Sequence, residues 1–320
     1  MVGTGGHSMK TQVCRSKSSA GRRRSGRSQP WDRVSAERDG RPAPGAIARW
    51  FGSCFYACGR AGLPAEVSWA GTGYVLAKVL KYDFVAGTGL YQAVNAEGTG
   101  PRRVVCKQNR RMHFCLLPLG WLGRLVTYRE LRNLKRCEGI SGVPQVLARL
   151  GPTTYLYEYI EGRSLDQHPR LPSDFFERLL AVLQQIHDRG LVHLDLNKWG
   201  NIIAGDDGRA WIIDFQVSTY IGDRLLLSKR LSRRLRRWLQ AFDTYHLYKH
   251  KRRFLPNQLT EAEERLSRNN SLPLRVHRAI LRPYRQVRHC CLRYLLAKGV
   301  LHNTGDTKSH TETNPARWME

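Results

Sequence analysis

The 320-residue sequence predicts an α+β fold, with short strands grouped in its first half and helices dominating its second. Three observations carry this. Apolar runs of strand length, separated by Gly and Pro, fill residues 82–108 and 144–160. Helical spacing interrupts them once, around 121–137. A strongly marked helix at 174–188 then opens a region that turns helical and basic.

Taken in order, residues 1–45 are rich in Ser, Gly and Arg, include Arg22-Arg23-Arg24, and have no hydrophobic period. Such a segment buries too little apolar surface to offset its ordering entropy, so a disordered basic arm is expected. Residues 46–80 contain Trp50, Phe51, Phe55 and Tyr56 and read as an extension of undetermined role, an extra helix being one option. Strands are predicted at 82–87, 90–96 and 102–108, with the Gly98–Pro101 turn before the last. The helix around 121–137 would present Leu125, Tyr128, Leu131 and Leu134 on one face. Strands at 144–150 and 153–160 end in the hinge-like pair Glu161-Gly162. In helix 174–188, Asp174 and Glu177 have capping-box spacing, Phe176, Leu179, Leu180, Leu183 and Ile186 form the stripe, and Gly190 can end it. The last residues, 301–320, read as a flexible tail.

The net charge is +27, and Lys229 to Arg237 and Lys249 to Arg253 form dense cationic runs. No Asp or Glu occurs between Arg265 and Asn303. The surface field therefore favours anionic partners: a glycolipid or saccharide bearing phosphate, an anionic membrane face, or nucleic acid. The eight cysteines include no Cys-x-x-Cys pair and no zinc spacing, which argues against a zinc module and for reduced thiols. The N-terminus has no apolar signal core and no run of about 18 apolar residues exists. These features predict a cytoplasmic protein, with peripheral attachment to the inner face of a membrane left open.

The chemistry concentrates at His193-Leu194-Asp195, Asn201 and Ile213-Asp214-Phe215, at the ends of short apolar strands. Asp195, in a loop after Leu191-Val192, is placed to accept a proton from a hydroxyl. Asn201 and Asp214 flank the Gly205-Asp206-Asp207-Gly208 turn and offer the oxygen ligands that Mg²⁺ prefers. Upstream, Val104-Val105-Cys106-Lys107 followed by Glu130 has the spacing of a lysine held by a glutamate against nucleotide phosphates. A competing reading of Glu130 is the second half of a capping box with Thr127; the run Gly120–Val126 suggests instead an earlier helix start. Gly87-Thr88-Gly89, between two predicted strands, is the candidate phosphate turn.

On Lys107, Glu130, His193-x-Asp195, Asn201 and Asp214-Phe215, residues 81–250 resemble the protein-kinase-like superfamily, in particular its atypical branch of RIO-type and lipopolysaccharide (Kdo/heptose) kinases. The resemblance implies a two-lobed fold, with an antiparallel-sheet N-lobe at 81–160 and a mostly helical C-lobe at 161–300. It implies ATP and Mg²⁺ as cofactors, Asp195, Lys107 and Glu130 as catalytic residues, and Asn201 and Asp214 as metal ligands. Gly87, Gly89, Lys107 and Glu158 would contact the nucleotide. His193 would orient the loop, and Asp243 would anchor it from a later helix.

Three departures stand out. Asn201 lies one residue further from Asp195 than usual, so the loop must bulge or share duties with Asn197 or Lys198. Gln216 replaces the flexible glycine after Asp214-Phe215, which should limit switching. No Ala-Pro-Glu-like segment follows, which removes a platform for an extended peptide. The leading expectation is therefore γ-phosphoryl transfer to a hydroxyl of an anionic glycolipid or saccharide. The alternatives are a RIO-type Ser/Thr kinase of protein or ribonucleoprotein, and a silent pseudokinase that scaffolds or binds nucleic acid.

Overall fold

The computed structural model describes residues 56–59, 62–94, 100–113, 118–223 and 228–268, all within the compact unit Pro44–Glu320. The expected arm, the tail, residues 46–55 and the stretch 269–300 lie outside the described residues. The architecture is mixed α+β. Six strands, β1 (Glu66–Trp69), β2 (Thr72–Tyr82), β3 (Ala86–Ala93), β4 (Arg103–Asn109), β5 (Val146–Arg149) and β6 (Thr154–Glu158), form one antiparallel sheet in the order β1-β2-β3-β4-β6-β5. Helix α1 (Gly120–Arg136) intervenes between β4 and β5.

The sheet begins at Glu66, well before Lys81, so part of the unassigned stretch 46–80 supplies β1 and β2. The strand expected at 82–87 is displaced: β2 runs to Tyr82, and the reversal is Asp83-Phe84-Val85. The Asp83 side chain accepts the Val85 and Ala86 amides at 2.8 Å each. An Asp fastening its own turn is a local signal, which the apolar Phe84-Val85-Ala86 run hid.

Helix α1 buries only part of the apolar face expected of it: Leu134 is in the core and Leu131 packs against it. Gly123, Thr127, Glu130, Asn133 and Leu134 are buried, while Leu125 and Tyr128 are 45% and 53% exposed. Its inner side meets polar groups: Asn109 Nδ2 donates to Thr127 Oγ1 at 2.8 Å, and Thr127 donates to the Gly123 carbonyl. Gly123 permits this approach, because a Cβ there would sit 1.9 Å from the Arg110 carbonyl oxygen.

Beyond the sheet come β7 (Gly162–Ser164), α2 (Phe175–Asp188), β8 (Leu191–Val192), β9 (Ile202–Gly205), β10 (Ala210–Ile212), β11 (Thr219–Tyr220), α3 (Lys229–Phe254) and α4 (Glu261–Arg268). Strands β10-β9-β7 form a small antiparallel sheet, and β11 pairs with β8. The stripe of α2, Phe175, Phe176, Leu179, Val182, Leu183 and Ile186, is buried among Leu165, Leu191, Ile202, Ile212 and Leu247. Truncating one such leucine to alanine typically costs about 2–5 kcal/mol. Asp174 is not the expected side-chain cap of α2, because its carboxylate turns to Arg178 Nε at 2.7 Å. Gly190 does end the helix region in the left-handed conformation, at φ +77°.

The described cysteines Cys58, Cys106 and Cys137 are buried and not disulfide-bonded. Burial pushes their thiols up, to about 11, about 12 and about 12, so they pack as small apolar groups. No helix among the described residues is long and apolar enough to cross a membrane.

Candidate active site

Sequence alternation in β4 assigns its two faces. Val104 and Cys106 join Tyr74, Tyr91 and Leu156 in an apolar cluster on one side, which turns Lys107 to the other. There its Nζ lies 2.7 Å from Glu130 Oε1 and 2.6 Å from Asp214 Oδ1, so one buried ammonium joins the sheet, α1 and the segment after β10. Glu130 is mid-helix, which removes the capping-box reading.

A second cation enters from β2. Lys81 Nζ stands 3.6 Å from Asp214 Oδ2 and 3.2 Å from Asp83 Oδ2. Burial alone would raise the Asp214 carboxyl, but Lys107 and Lys81 outweigh it and hold Asp214 well below the ordinary carboxylate range. Conversely, burial works to discharge Lys107 and Lys81, and the facing carboxylates, Asp214 first, hold both above the ordinary lysine value. Burial pushes Glu130 up against the opposing pull of Lys107. A carboxylate held ionised between cations is the state a hard metal ion or a phosphate-bound cation needs.

The loop carrying Asp195 is held by groups the chain supplies from far away. Asp243, fully buried on α3, accepts the amides of His193 at 2.7 Å and Leu194 at 2.9 Å, one on each oxygen. Leu194 stands at φ +64°, costly for a leucine, and this carboxylate clamp over-determines it. His193 Nε2 lies 3.1 Å from the Ile213 carbonyl, which can only accept, so Nε2 carries the proton and Nδ1 accepts the Asp195 amide at 3.4 Å. His193 is thus a buried brace between the two loops, edge-on to Phe215.

Asp195 Oδ2 accepts from Asn201 Nδ2 at 3.0 Å and pairs with Lys198 Nζ at 2.9 Å. The additional residue between Asp195 and Asn201 is absorbed by a 3₁₀ turn, Trp199–Asn201. Asn201 also bonds the Asp195 carbonyl, and its own carbonyl accepts the Ile213 amide at 2.9 Å. Asp214 follows at once, at φ +63°, a conformation that Asp tolerates better than most residues. Asn201 spends its amide nitrogen on Asp195, and Asp214 offers ionised oxygens. This donor set is oxygen-rich beside a cationic wall and fits Mg²⁺ carried by a polyphosphate.

Three residues expected at the nucleotide, Gly87, Gly89 and Glu158, lie on the other face of the sheet from Lys107. Gly87 and Gly89 are not a turn: they lie inside β3, paired with Tyr82 and Val79, and point away from Lys107. A Cβ at either would meet Leu63 at about 3 Å, which shows them packed under a side chain. Glu158 lies on the same face as Leu156, opposite Lys107, and its carboxylate accepts the Gln145 amide at 3.3 Å. A small cavity of about 20 Å³ is lined by Lys107, Glu130, Leu134, Pro144, Tyr155, Tyr157, Ile213, Asp214 and Phe215. Gln216 donates to Asn109 Oδ1 at 3.1 Å, tying the segment after Asp214 to β4 and, through Thr127, to α1. Sequence reasoning missed Lys81; its signal was a strand-end lysine before an Asp-fastened turn.

Residues 107–251 match the family model of the RIO domain. Sperm motility kinase 3A of Mus musculus is 30% identical over 109 residues, which cover 32% of this chain and 21% of that protein. Sperm motility kinase 1 of the same organism is 32% identical over 109 residues, 32% of this chain and 22% of that protein. A probable SapB synthase of Streptomyces coelicolor is 30% identical over 163 residues, 44% of this chain and 17% of that protein. The chain thus spans about a fifth of the length of these relatives. The matched stretch begins at Lys107 and ends at the close of α3, so it contains Glu130, Asp195, Asn201, Asp214 and Asp243 together. Residues 107–251 are accordingly similar to the RIO domain, which belongs to the atypical branch of the protein-kinase-like superfamily.

Proposed function

We propose that the chain is an ATP- and Mg²⁺-dependent phosphotransferase of RIO type that moves the γ-phosphoryl group to a hydroxyl. The observation that carries this is Lys107 Nζ bound at once to Glu130 and Asp214, beside a loop that presents Asp195. In use, Lys107 and Lys81 would bind phosphate oxygens, while Asp214 and Asn201 would hold Mg²⁺, which neutralises charge on the transferring group. Asp195 would accept the proton of the acceptor hydroxyl, with Lys198 Nζ 2.9 Å from its Oδ2. Because catalysis of this kind is positioning plus electrostatics, the Asp243 clamp and the His193 brace supply its rigidity.

The family points to a serine or threonine hydroxyl of a protein as acceptor. A specific feature favours a second reading, a saccharide or glycolipid hydroxyl. Only residues 215–228 separate Asp214-dependent chemistry from the basic helix α3, with no Ala-Pro-Glu-like platform. The test is labelling from γ-³²P ATP into protein, lipid and saccharide fractions by the wild type and by Asp195→Ala. Equal labelling by both proteins would discard the proposal. A thermal-shift titration with Mg-ATP checks the nucleotide site separately, since ligand at about 100 times Kd stabilises by about 2.7 kcal/mol.

A further inference from the structure

The first turns of α3 carry two outward sectors side by side, one apolar and one cationic. Leu231, Leu235, Trp238 and Phe242 recur at spacings of four, three and four, which sets them on one stripe of the helix. That stripe is not core. Leu231 is 53% exposed and Trp238 41% exposed, while Leu235 and Phe242 are half-buried, with Phe242 edge-on to Trp238 at 4.9 Å. The side of the helix that enters the protein is marked by Ser232 and Asp243, both fully buried.

Beside the stripe runs a band of exposed cations, Lys229, Arg230, Arg233, Arg234 and Arg237. Asp243 is the single carboxylate of the helix, and it is spent on the His193 and Leu194 amides. Asp223, just before the helix, is taken by Arg236 at 3.0 Å. Among the described residues no carboxylate pairs with any of the five cations in the band.

A charged helix face alone is ordinarily just solvated, and single exposed apolar residues are normal. Here the two are segregated on one rod, cations against an exposed Leu and Trp, the pattern of a helix that lies in the interface of an anionic bilayer. Trp suits that boundary, since its ring is apolar and its indole N–H polar. Nucleic acid would also attract the arginines, but Leu231 and Leu235 gain nothing from phosphate or base, whereas acyl chains solvate both.

We propose that this face of α3 is a membrane-docking surface. Leu231 and Trp238 enter the boundary between headgroups and acyl chains, and the arginine band contacts lipid phosphates. Contact is peripheral, because no helix among the described residues is long and apolar enough to cross a bilayer. The helix that would rest on lipid also carries Asp243, so bilayer and Asp195 loop share one support. Each Lys or Arg near an anionic surface strengthens binding about fivefold, and salt screens that gain.

Co-sedimentation with phosphatidylcholine vesicles, with and without phosphatidylglycerol, tests the proposal. The wild type should sediment with the anionic vesicles and not with pure phosphatidylcholine. Arg230→Gln, Arg234→Gln and Arg237→Gln together should weaken binding about a hundredfold, at about fivefold per charge. Arg124→Gln, Arg129→Gln and Arg132→Gln remove three exposed cations from α1 instead, and that protein should bind as the wild type does. Leu231→Ser with Trp238→Ser keeps every charge and should still bind about tenfold weaker, because apolar burial is lost. Melting transitions check folding; should a multiple variant fail to fold, Arg234→Gln alone should bind about fivefold weaker. Equal losses in the two arginine triples would reduce the effect to net charge and overturn the proposal. Unchanged binding by the Leu231 and Trp238 variant, or arginine-dependent binding of polyuridylate without binding of vesicles, would overturn it too.

Discussion

Replacing His250 with glutamine should remove a large part of the protein's sensitivity to mild acid. His250 is 1% exposed on α3, and its Nε2 lies 2.7 Å from the Leu196 carbonyl, directly after Asp195. Burial lowers its pKa from 6.5 to about 4, with nearby Lys249 adding to that. Between those values the unfolded chain carries a proton that the folded one refuses, so stability rises with pH across this window and is lost as pH falls through it. The full gap corresponds to about 3 kcal/mol, of which about 2 kcal/mol is lost between pH 7 and pH 5. Glutamine keeps a donor for Leu196 and does not titrate. Urea unfolding of both proteins at pH 7 and pH 5 gives the difference, in which other ionisable groups cancel. The wild type should lose about 2 kcal/mol more than His250→Gln. Equal losses would refute the neutral, buried imidazole on which the reasoning depends.

Three other substitutions probe the site from different sides. Asp243→Ala strands the amides of His193 and Leu194, and unpaired buried donors cost about 1–3 kcal/mol each; chemical unfolding should show a loss of this order, and phosphotransfer should fall with it. Gly123→Ala would force a Cβ to 1.9 Å from the Arg110 carbonyl oxygen, so α1 must move away from β4 and Mg-ATP affinity should drop together with the melting temperature. Lys81→Met should weaken Mg-ATP binding about tenfold by removing one charge-assisted contact, measured by thermal shift; unchanged binding would place Lys81 outside the phosphate site. Its melting curve should change little, since the ammonium is one-third exposed.

The parts of the fold that could be read from sequence were those where local pattern and tertiary environment agree. Helix α2 is buried on the stripe its apolar residues mark, apart from half-exposed Leu180, and Lys107, Glu130, Asp195 and Asp214 stood out by spacing alone. Helix α1 was legible in extent but not in face. It packs against a charged cleft, so Thr127, Glu130 and Asn133 are inside with Leu134, while Leu125 and Tyr128 of the expected stripe are exposed. The first hairpin was misread for a related reason. Glycines usually signal turns, but Gly87 and Gly89 are glycines because Leu63 and Tyr82 occupy the space a side chain would take. The bonds from Asp243 to residues fifty positions earlier have no local signature, and only the fold brings them together.

Helix α3 is 26 residues long and acts as a ruler. Near its middle Asp243 fixes the peptide before Asp195, and near its end His250 props the peptide after it. Because both rest on one rod, spacing between them is set by helical pitch rather than by the loop. Inserting a single alanine between Asp243 and Lys249 would turn everything downstream by about 100°. The clamp would survive while the prop swung out of register, so the loop would keep one support and lose the other.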